Sequence, residues 1–141
     1  AAFGVGTGMG VSQDAPALDM AYNLAEYAGK GRLKTSPGKP ILPGRKQVFR
    51  IEEDGRAARD VIARWGEEVD GRPLLRQVMR GGERLPAGRE GLDAARDRAR
   101  QEIARLPERV RAIPRAEPPY PVEISDALRA FEREISAAIP V

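Results

Sequence analysis

The 141-residue chain contains neither cysteine nor histidine. Without cysteine it has no disulfide framework and no thiolate metal site. Without histidine it lacks the commonest general base and the commonest metal ligand. No catalytic residue and no metal ligand are therefore expected in this segment. Long apolar runs are also missing, so no membrane span is expected. The amino end carries no basic stretch followed by an apolar core, so a secretory signal of that kind is not expected. A cytoplasmic location without a membrane partner is the expectation. Nor is there charge of one sign: 24 basic residues face 21 acidic ones, for a net charge of +3. Mixed charge at that ratio speaks against a nucleic-acid partner.

What is present reads as a folded chain. Hydrophobic residues make up 41% and charged residues 32%, the balance of a soluble globular segment rather than a disordered one. Four lysines (Lys30, Lys34, Lys39 and Lys46) stand against 20 arginines. That bias reflects genome composition as readily as function. The chain begins without Met, on an apolar-then-glycine stretch, as if in the middle of a structural unit.

The first twenty residues carry glycine at four alternating positions, Gly4, Gly6, Gly8 and Gly10, around Thr7. Three readings compete. A dinucleotide loop of the G-x-G-x-x-G type fails because Met9 occupies the last position. A looser spacing is met by Gly4, Gly6 and Gly10, with Glu26 placed to meet a ribose. Asp14-Ala15-Pro16 would interrupt the helix such a loop must open. A P-loop is excluded, since no Gly-Lys-Ser or Gly-Lys-Thr follows at the required spacing. The second reading is a tight turn with no ligand. The third is a phosphate cradle, in which the amides of Gly6 and Thr7 and the Thr7 hydroxyl donate to phosphate oxygens.

The rest of the chain reads as α+β: β-hairpins and short strands, then two amphipathic helices. Met20, Tyr22 and Leu24 alternate with small or polar residues, so residues 18–35 are predicted as a hairpin turning at Gly29-Lys30-Gly31, with a helix as competitor. Residues 47–51 are a strand ending at the turn Glu53-Asp54-Gly55. Residues 56–65 are a further strand or a short helix, and 73–80 a strand before the Gly81-Gly82 turn. From Arg89 onward Leu92, Ala95, Ala99, Ile103 and Leu106 recur at helical spacing, with Val110 and Ile113 continuing beyond Pro107. Ser125 is a good N-cap for a last helix with Leu128, Phe131, Ile135 and Ile139 on one face.

An ordered series of motifs then narrows the choice. Phe3-Gly4-Val5-Gly6-Thr7, Ser12-Gln13-Asp14-Ala15-Pro16, Tyr22-Asn23-Leu24-Ala25-Glu26, Arg32-Leu33-Lys34 and Leu42-Pro43-Gly44-Arg45-Lys46 match in order and spacing over residues 3–50. Together they resemble the carboxy-terminal part of nicotinate phosphoribosyltransferase. Pro73-Leu74-Leu75, the Gly81-Gly82 turn, the arginine-rich helix and Pro121-Val122-Glu123-Ile124-Ser125 resemble that family's tail. The resemblance implies part of a type II phosphoribosyltransferase, with an irregular α/β barrel and a sandwich domain. Residues 1–17 would be the last barrel strand and phosphate loop. Residues 18–85 would be a β-rich segment returning to the sandwich, and 86–141 a helical end. It implies nicotinate and phosphoribosyl pyrophosphate as substrates, and nicotinate mononucleotide and pyrophosphate as products, in NAD biosynthesis. ATP and Mg would serve the complete enzyme through a phosphohistidine, with none bound by this segment alone. It also implies a homodimer with shared active sites. On these terms Gly6 and Thr7 would hold the 5-phosphate of the phosphoribosyl group, and Gly4 would permit close backbone approach. The chain has no histidine to phosphorylate, so this segment alone is expected to be inactive. The alternative is a non-catalytic interaction or anion-binding module that retains the family's tail.

Other residues read more plainly. Arg45 and Lys46 could touch a phosphate, although solvated turn charges are the default. Asp14 orders its loop with Ser12 rather than holding a metal. Trp65 and Phe131 read as packing residues. The arginines of 89–111 read as a solvated, ion-paired helix face. Tyr120 among its prolines reads as a packed crossover, with a partner-binding segment as the alternative.

Overall fold

A computed structural model describes Gly4, residues 6–11, 23–34 and 41–139. Its centre is the hairpin of β3 (Lys46–Glu53) and β4 (Arg56–Arg64), preceded by the two-residue strands β1 (Glu26–Tyr27) and β2 (Lys30–Gly31). Residues 56–65 therefore take the strand of the two expected forms. Asp54 and Gly55 make the turn, both at positive φ (50° and 76°), the mirror-image geometry that a two-residue hairpin favours. The register shifts at Ile51/Glu52, which leaves Ala58 as the extra residue of a β-bulge. That shift has an electrostatic result. Without the inserted residue Arg50 would lie across from Arg59; with it, Arg50 pairs with Asp60.

Two more strands complete a four-stranded sheet in the order β5-β3-β4-β8, where β5 is Arg72–Pro73 and β8 is Val122–Ile124. β5 runs antiparallel to β3, and β8 runs parallel to β4. The expected strand over 73–80 is replaced by two short pieces, β5 and β6 (Met79–Arg80). The reason lies at Gln47, which is buried. Its side-chain amide donates to the Leu75 carbonyl and accepts from the Leu75 N–H, each at 2.9 Å. A side chain thus takes the place of the backbone ladder, and the regular strand ends. β6 turns through Gly81-Gly82 into β7 (Glu83–Arg84).

The hairpin expected over 18–35 is present in shortened form. Its turn lies at Ala28-Gly29, both at positive φ, so Lys30-Gly31 belongs to the returning strand rather than to the turn. Residues 18–22 and 35 lie outside the described residues.

Helix α1 is a single turn, Thr7–Gly10; α2 is Leu92–Arg105, α3 Glu108–Arg111 and α4 Asp126–Ala137. Pro107 separates α2 from α3, as its ring and missing N–H require. Ile113 falls beyond α3 and is fully exposed, so the apolar stripe does not continue that far as a helix. Ser125 caps α4: its Oγ accepts from the Leu128 N–H. α4 lies against β4 and buries Leu128 completely. Along β4, Ala57, Val61 and Ala63 are buried, and so is Asp60, which meets Arg50 and Tyr120. Burying a leucine of this kind contributes about 1.5–3 kcal/mol.

Candidate functional site

The glycine loop stands at the edge of the described structure. Gly4 and Gly6 are exposed, and Gly6 is the N-cap of α1, which Thr7 opens. The Met9 N–H donates to the Gly6 carbonyl at 3.1 Å. The Thr7 side chain and residues 12–22, Ser12, Asp14 and Pro16 among them, lie outside the described part of the structure. Gly6 has φ −84°, an ordinary extended backbone that any residue adopts. A Cβ built on Gly4, Gly6 or Gly10 meets nothing within 4 Å, and none of the three has positive φ. Among the described residues, then, neither backbone conformation nor packing calls for glycine at these positions.

The second candidate region, Leu42 to Lys46, is more tightly determined. Lys46 bridges its own loop: Nζ donates to the carbonyls of Leu42 (2.7 Å) and Gly44 (2.6 Å). Burial lowers the Lys46 pKa, against the opposing pull of Glu26. Its role here is to tie the loop, which corrects its reading as a solvated turn charge. Arg45 is exposed, as expected, but placed. Its N–H donates to the Glu26 carboxylate (3.0 Å), and its guanidinium stacks on the Trp65 ring with Cζ 3.5 Å from the centroid. Trp65, half-exposed, is a platform as well as a packing residue. Phe131 sits where Gly31 and Gly44 leave room for it. A Cβ on either would approach its ring to 2.8–2.9 Å, and Gly44 is also at φ +75°. Arg64 lies over the Phe131 ring at 4.1 Å.

A third constellation joins elements distant in sequence. Arg50 donates two hydrogen bonds of 2.9 Å to Asp60, and the Tyr120 hydroxyl donates to the same carboxylate at 3.0 Å. Burial pushes the Asp60 pKa up, but the bonds from Arg50 and Tyr120 outweigh it and hold the carboxyl below its ordinary value. Tyr120 is thereby a packed crossover residue. Arg72 bridges Glu52 of β3 and Glu102 of α2. The hydrogen bond from Arg72 is the main reason that the Glu102 pKa is lowered. On α2 and beside it, Arg96 pairs with Asp93, Arg98 with Glu90 and Arg100 with Asp97, the ion-paired face that the spacing predicts. The residue pattern gives Asp60 and Arg64 no such role, and places Glu26 only as a ribose partner in the dinucleotide alternative. The signal for Asp60 was available: a hairpin about Asp54-Gly55 brings it near Arg50, and only the bulge settles the register.

No group of three or more acidic residues among the described residues is arranged to hold a metal ion. No described helix is long and apolar enough to cross a membrane.

The architecture is matched by a solved structure. The human nicotinic acid phosphoribosyltransferase superposes with a TM-score of 0.62 at 22% identity, covering 82% of this chain and 26% of that one. At that identity the likeness concerns the fold alone, which is that of a segment of the human protein. More particularly, residues 66–132 match the nicotinate phosphoribosyltransferase C-terminal domain family. The chain is 50% identical over 126 residues to nicotinate phosphoribosyltransferase pncB2 of Mycobacterium tuberculosis, covering 89% of this chain and 27% of that protein. It is 33% identical over 82 residues to nicotinate phosphoribosyltransferase of Bacillus subtilis, covering 52% of this chain and 17% of that protein. The resemblance carried by the ordered motifs is thus found independently: the chain resembles the carboxy-terminal portion of nicotinate phosphoribosyltransferase. It spans about a quarter of the length of the M. tuberculosis relative, 27%.

Proposed function

We propose that this segment is the carboxy-terminal part of a nicotinate phosphoribosyltransferase. The complete protein would form nicotinate mononucleotide and pyrophosphate from nicotinate and phosphoribosyl pyrophosphate, with ATP hydrolysis, in NAD biosynthesis in the cytoplasm. It would work as a homodimer with shared active sites. The observation that carries the reading is the 50% identity over 126 residues to a protein of that name. In this reading residues 1–17 close the barrel and supply the phosphate loop. Residues 18–85 return to the sandwich domain, and 86–141 form the helical end. Large exposed apolar side chains support a segment completed by further polypeptide: Met9, Leu24, Tyr27, Leu75, Met79, Leu92 and Ile103 are all more than half exposed, against four buried apolar residues among those described.

Within the site, Gly6 and Thr7 hold the 5-phosphate of the phosphoribosyl group through backbone N–H groups and the Thr7 hydroxyl. Gly4 lets the backbone approach. What supports this is the motif Phe3-Gly4-Val5-Gly6-Thr7, which stands first in the ordered series that resembles the family. Glycine, with no Cβ, lets the backbone come close to a ligand. The chemistry suits the role. Loss of pyrophosphate builds positive charge on the ribose, and amides already in place hold the phosphate end without reorganising as the bonds shift. The phosphorylated histidine and the ligands for ATP and Mg would come from elsewhere in the complete protein.

The test is Thr7→Val in the complete protein. Loss of a hydrogen bond to a charged group weakens binding of phosphoribosyl pyrophosphate by about 1.5–3 kcal/mol. Unchanged affinity in a folded variant removes Thr7 from the site. Absence of nicotinate mononucleotide formation by the complete wild-type protein overturns the reading as a whole.

A further inference from the structure

The open end of the β3–β4 hairpin carries an arrangement that the phosphoribosyl reading does not use. A surface pocket of about 360 Å³ is lined by Glu26, Gly44, Arg45, Arg64, Trp65 and Phe131, with Gly29 at its edge. Two guanidiniums face it, each laid on an aromatic ring: Arg45 on Trp65 at 3.5 Å and Arg64 on Phe131 at 4.1 Å. Backbone contacts fix both platforms. Trp65 donates its N–H to the Arg45 carbonyl at 2.9 Å, and Phe131 is seated against Gly31 and Gly44.

Most arginines of the sheet and α2 are ion-paired, among them Arg50, Arg59, Arg72, Arg98 and Arg105. Among the described residues, no carboxylate oxygen lies within 4 Å of the Arg45 or Arg64 guanidinium nitrogens, and Glu67 meets Arg64 only through the backbone N–H. The pocket's acidic residue, Glu26, is engaged by the Arg45 backbone N–H. Stacking occupies the faces of the guanidiniums and leaves their N–H edges open. Those edges form a planar fork that matches two oxygens of a phosphate. An aromatic platform also restricts the side chain in advance, which reduces the ordering cost of binding.

We infer that this pocket is an oxyanion site, in which Arg45 and Arg64 grip a phosphate or diphosphate group in bidentate fashion. An oxyanion with several oxygens is the suitable class, because two guanidinium forks line the pocket against a single carboxylate, Glu26, which already accepts the Arg45 N–H. The site is built without Gly4, Gly6 or Thr7, so it goes beyond the proposed phosphoribosyl loop and stands whether or not that reading holds.

The test is calorimetric titration of the complete protein carrying this segment with inorganic pyrophosphate at constant ionic strength. Arg45→Gln/Arg64→Gln is compared with wild type, with Arg59→Gln as control because Arg59 pairs with Glu53 and Glu123 instead. The double variant loses one pyrophosphate site per chain, or binds there at least about tenfold more weakly. Arg59→Gln and Thr7→Val retain the site. Arg45→Lys/Arg64→Lys keeps the charge but loses the planar forks, and it also binds more weakly than wild type. A parallel titration with ADP distinguishes the source. Loss of an ADP site in the double variant assigns the pocket to the diphosphate of a nucleotide, and loss confined to pyrophosphate assigns it to the inorganic ion. Equal stoichiometry and affinity in wild type and both double variants overturn the proposal, as does wild-type protein that binds neither probe.

Discussion

Helices α4 and α2 both carry an apolar stripe, yet they are held in different ways. In α4 the stripe faces protein: Leu128 is fully buried, and Phe131 is seated between glycines and Arg64. In α2 no residue is buried, and Leu92 and Ile103 remain 69% and 54% exposed. What ties α2 to the sheet is charge: Glu102 to Arg72 and Arg50, and Arg105 to Glu52. Adjacent positions on a helix are about 100° apart, so Glu102 and Ile103 present different sides. An amphipathic pattern states that a helix has a partner for its stripe. It does not state that the partner belongs to the same segment.

The strongest way to break this comparison is at Leu128. Truncation to alanine removes a fully buried side chain and leaves a cavity, at a cost of about 2–5 kcal/mol. Denaturant unfolding of the complete protein, followed by probes in α4, measures it. The matching truncation Ile103→Ala, measured in the same protein, costs less, since more than half of that side chain is exposed within this segment. A loss at Ile103 equal to that at Leu128 would erase the distinction.

How far these arrangements could be read in advance depends on the range of the interactions that set them. The Ser125 cap, the turn at Asp54-Gly55 and the break at Pro107 are decided by neighbours in sequence, and the residues announced them, while residues 56–65 were open to a strand or a short helix. The end of the strand at Pro73 depends on Gln47, 28 residues from its bonding partner Leu75, and no local pattern reports it. The stacks of Arg45 on Trp65 and Arg64 on Phe131 likewise need the hairpin and α4 assembled first. For the glycine loop the ordered motifs identified the family resemblance, while alternating glycines by themselves fitted a turn as well as a phosphate cradle.

A smaller effect is expected at Asp60, where a charged network is largely withdrawn from water. Arg50 and Asp60 retain only 14% and 12% side-chain exposure. Asp60→Asn leaves Arg50 without its close carboxylate and costs about 1–3 kcal/mol at neutral pH. The dependence on pH has a defined sign. Because the folded-state pKa of Asp60 lies below the ordinary 3.8, its contribution is present above that pH and is lost as pH falls through the depressed value. Stability of the wild type therefore falls in that acid range through this group, and Asp60→Asn removes that part of the slope. Parallel acid-unfolding curves for the two proteins would show that the pair contributes no such linkage.

The smallest effect is the most discriminating for how α2 is held. Glu102, about one-third exposed, bonds Arg72 at 2.9 Å, and pairs of this exposure contribute about 0.2–1 kcal/mol. Salt screens them, since the Debye length falls from about 10 Å at 0.1 M to about 3 Å at 1 M. Amide hydrogen exchange in the complete protein should then divide the two helices. In α2, protection drops modestly on Glu102→Gln, and raising salt lowers it in wild type more than in the variant. In α4, where burial of Leu128 does not depend on charge, neither change lowers protection. If α2 exchange were insensitive to both salt and Glu102, its hold would have to come from the apolar stripe, through polypeptide beyond this segment that covers Leu92 and Ile103.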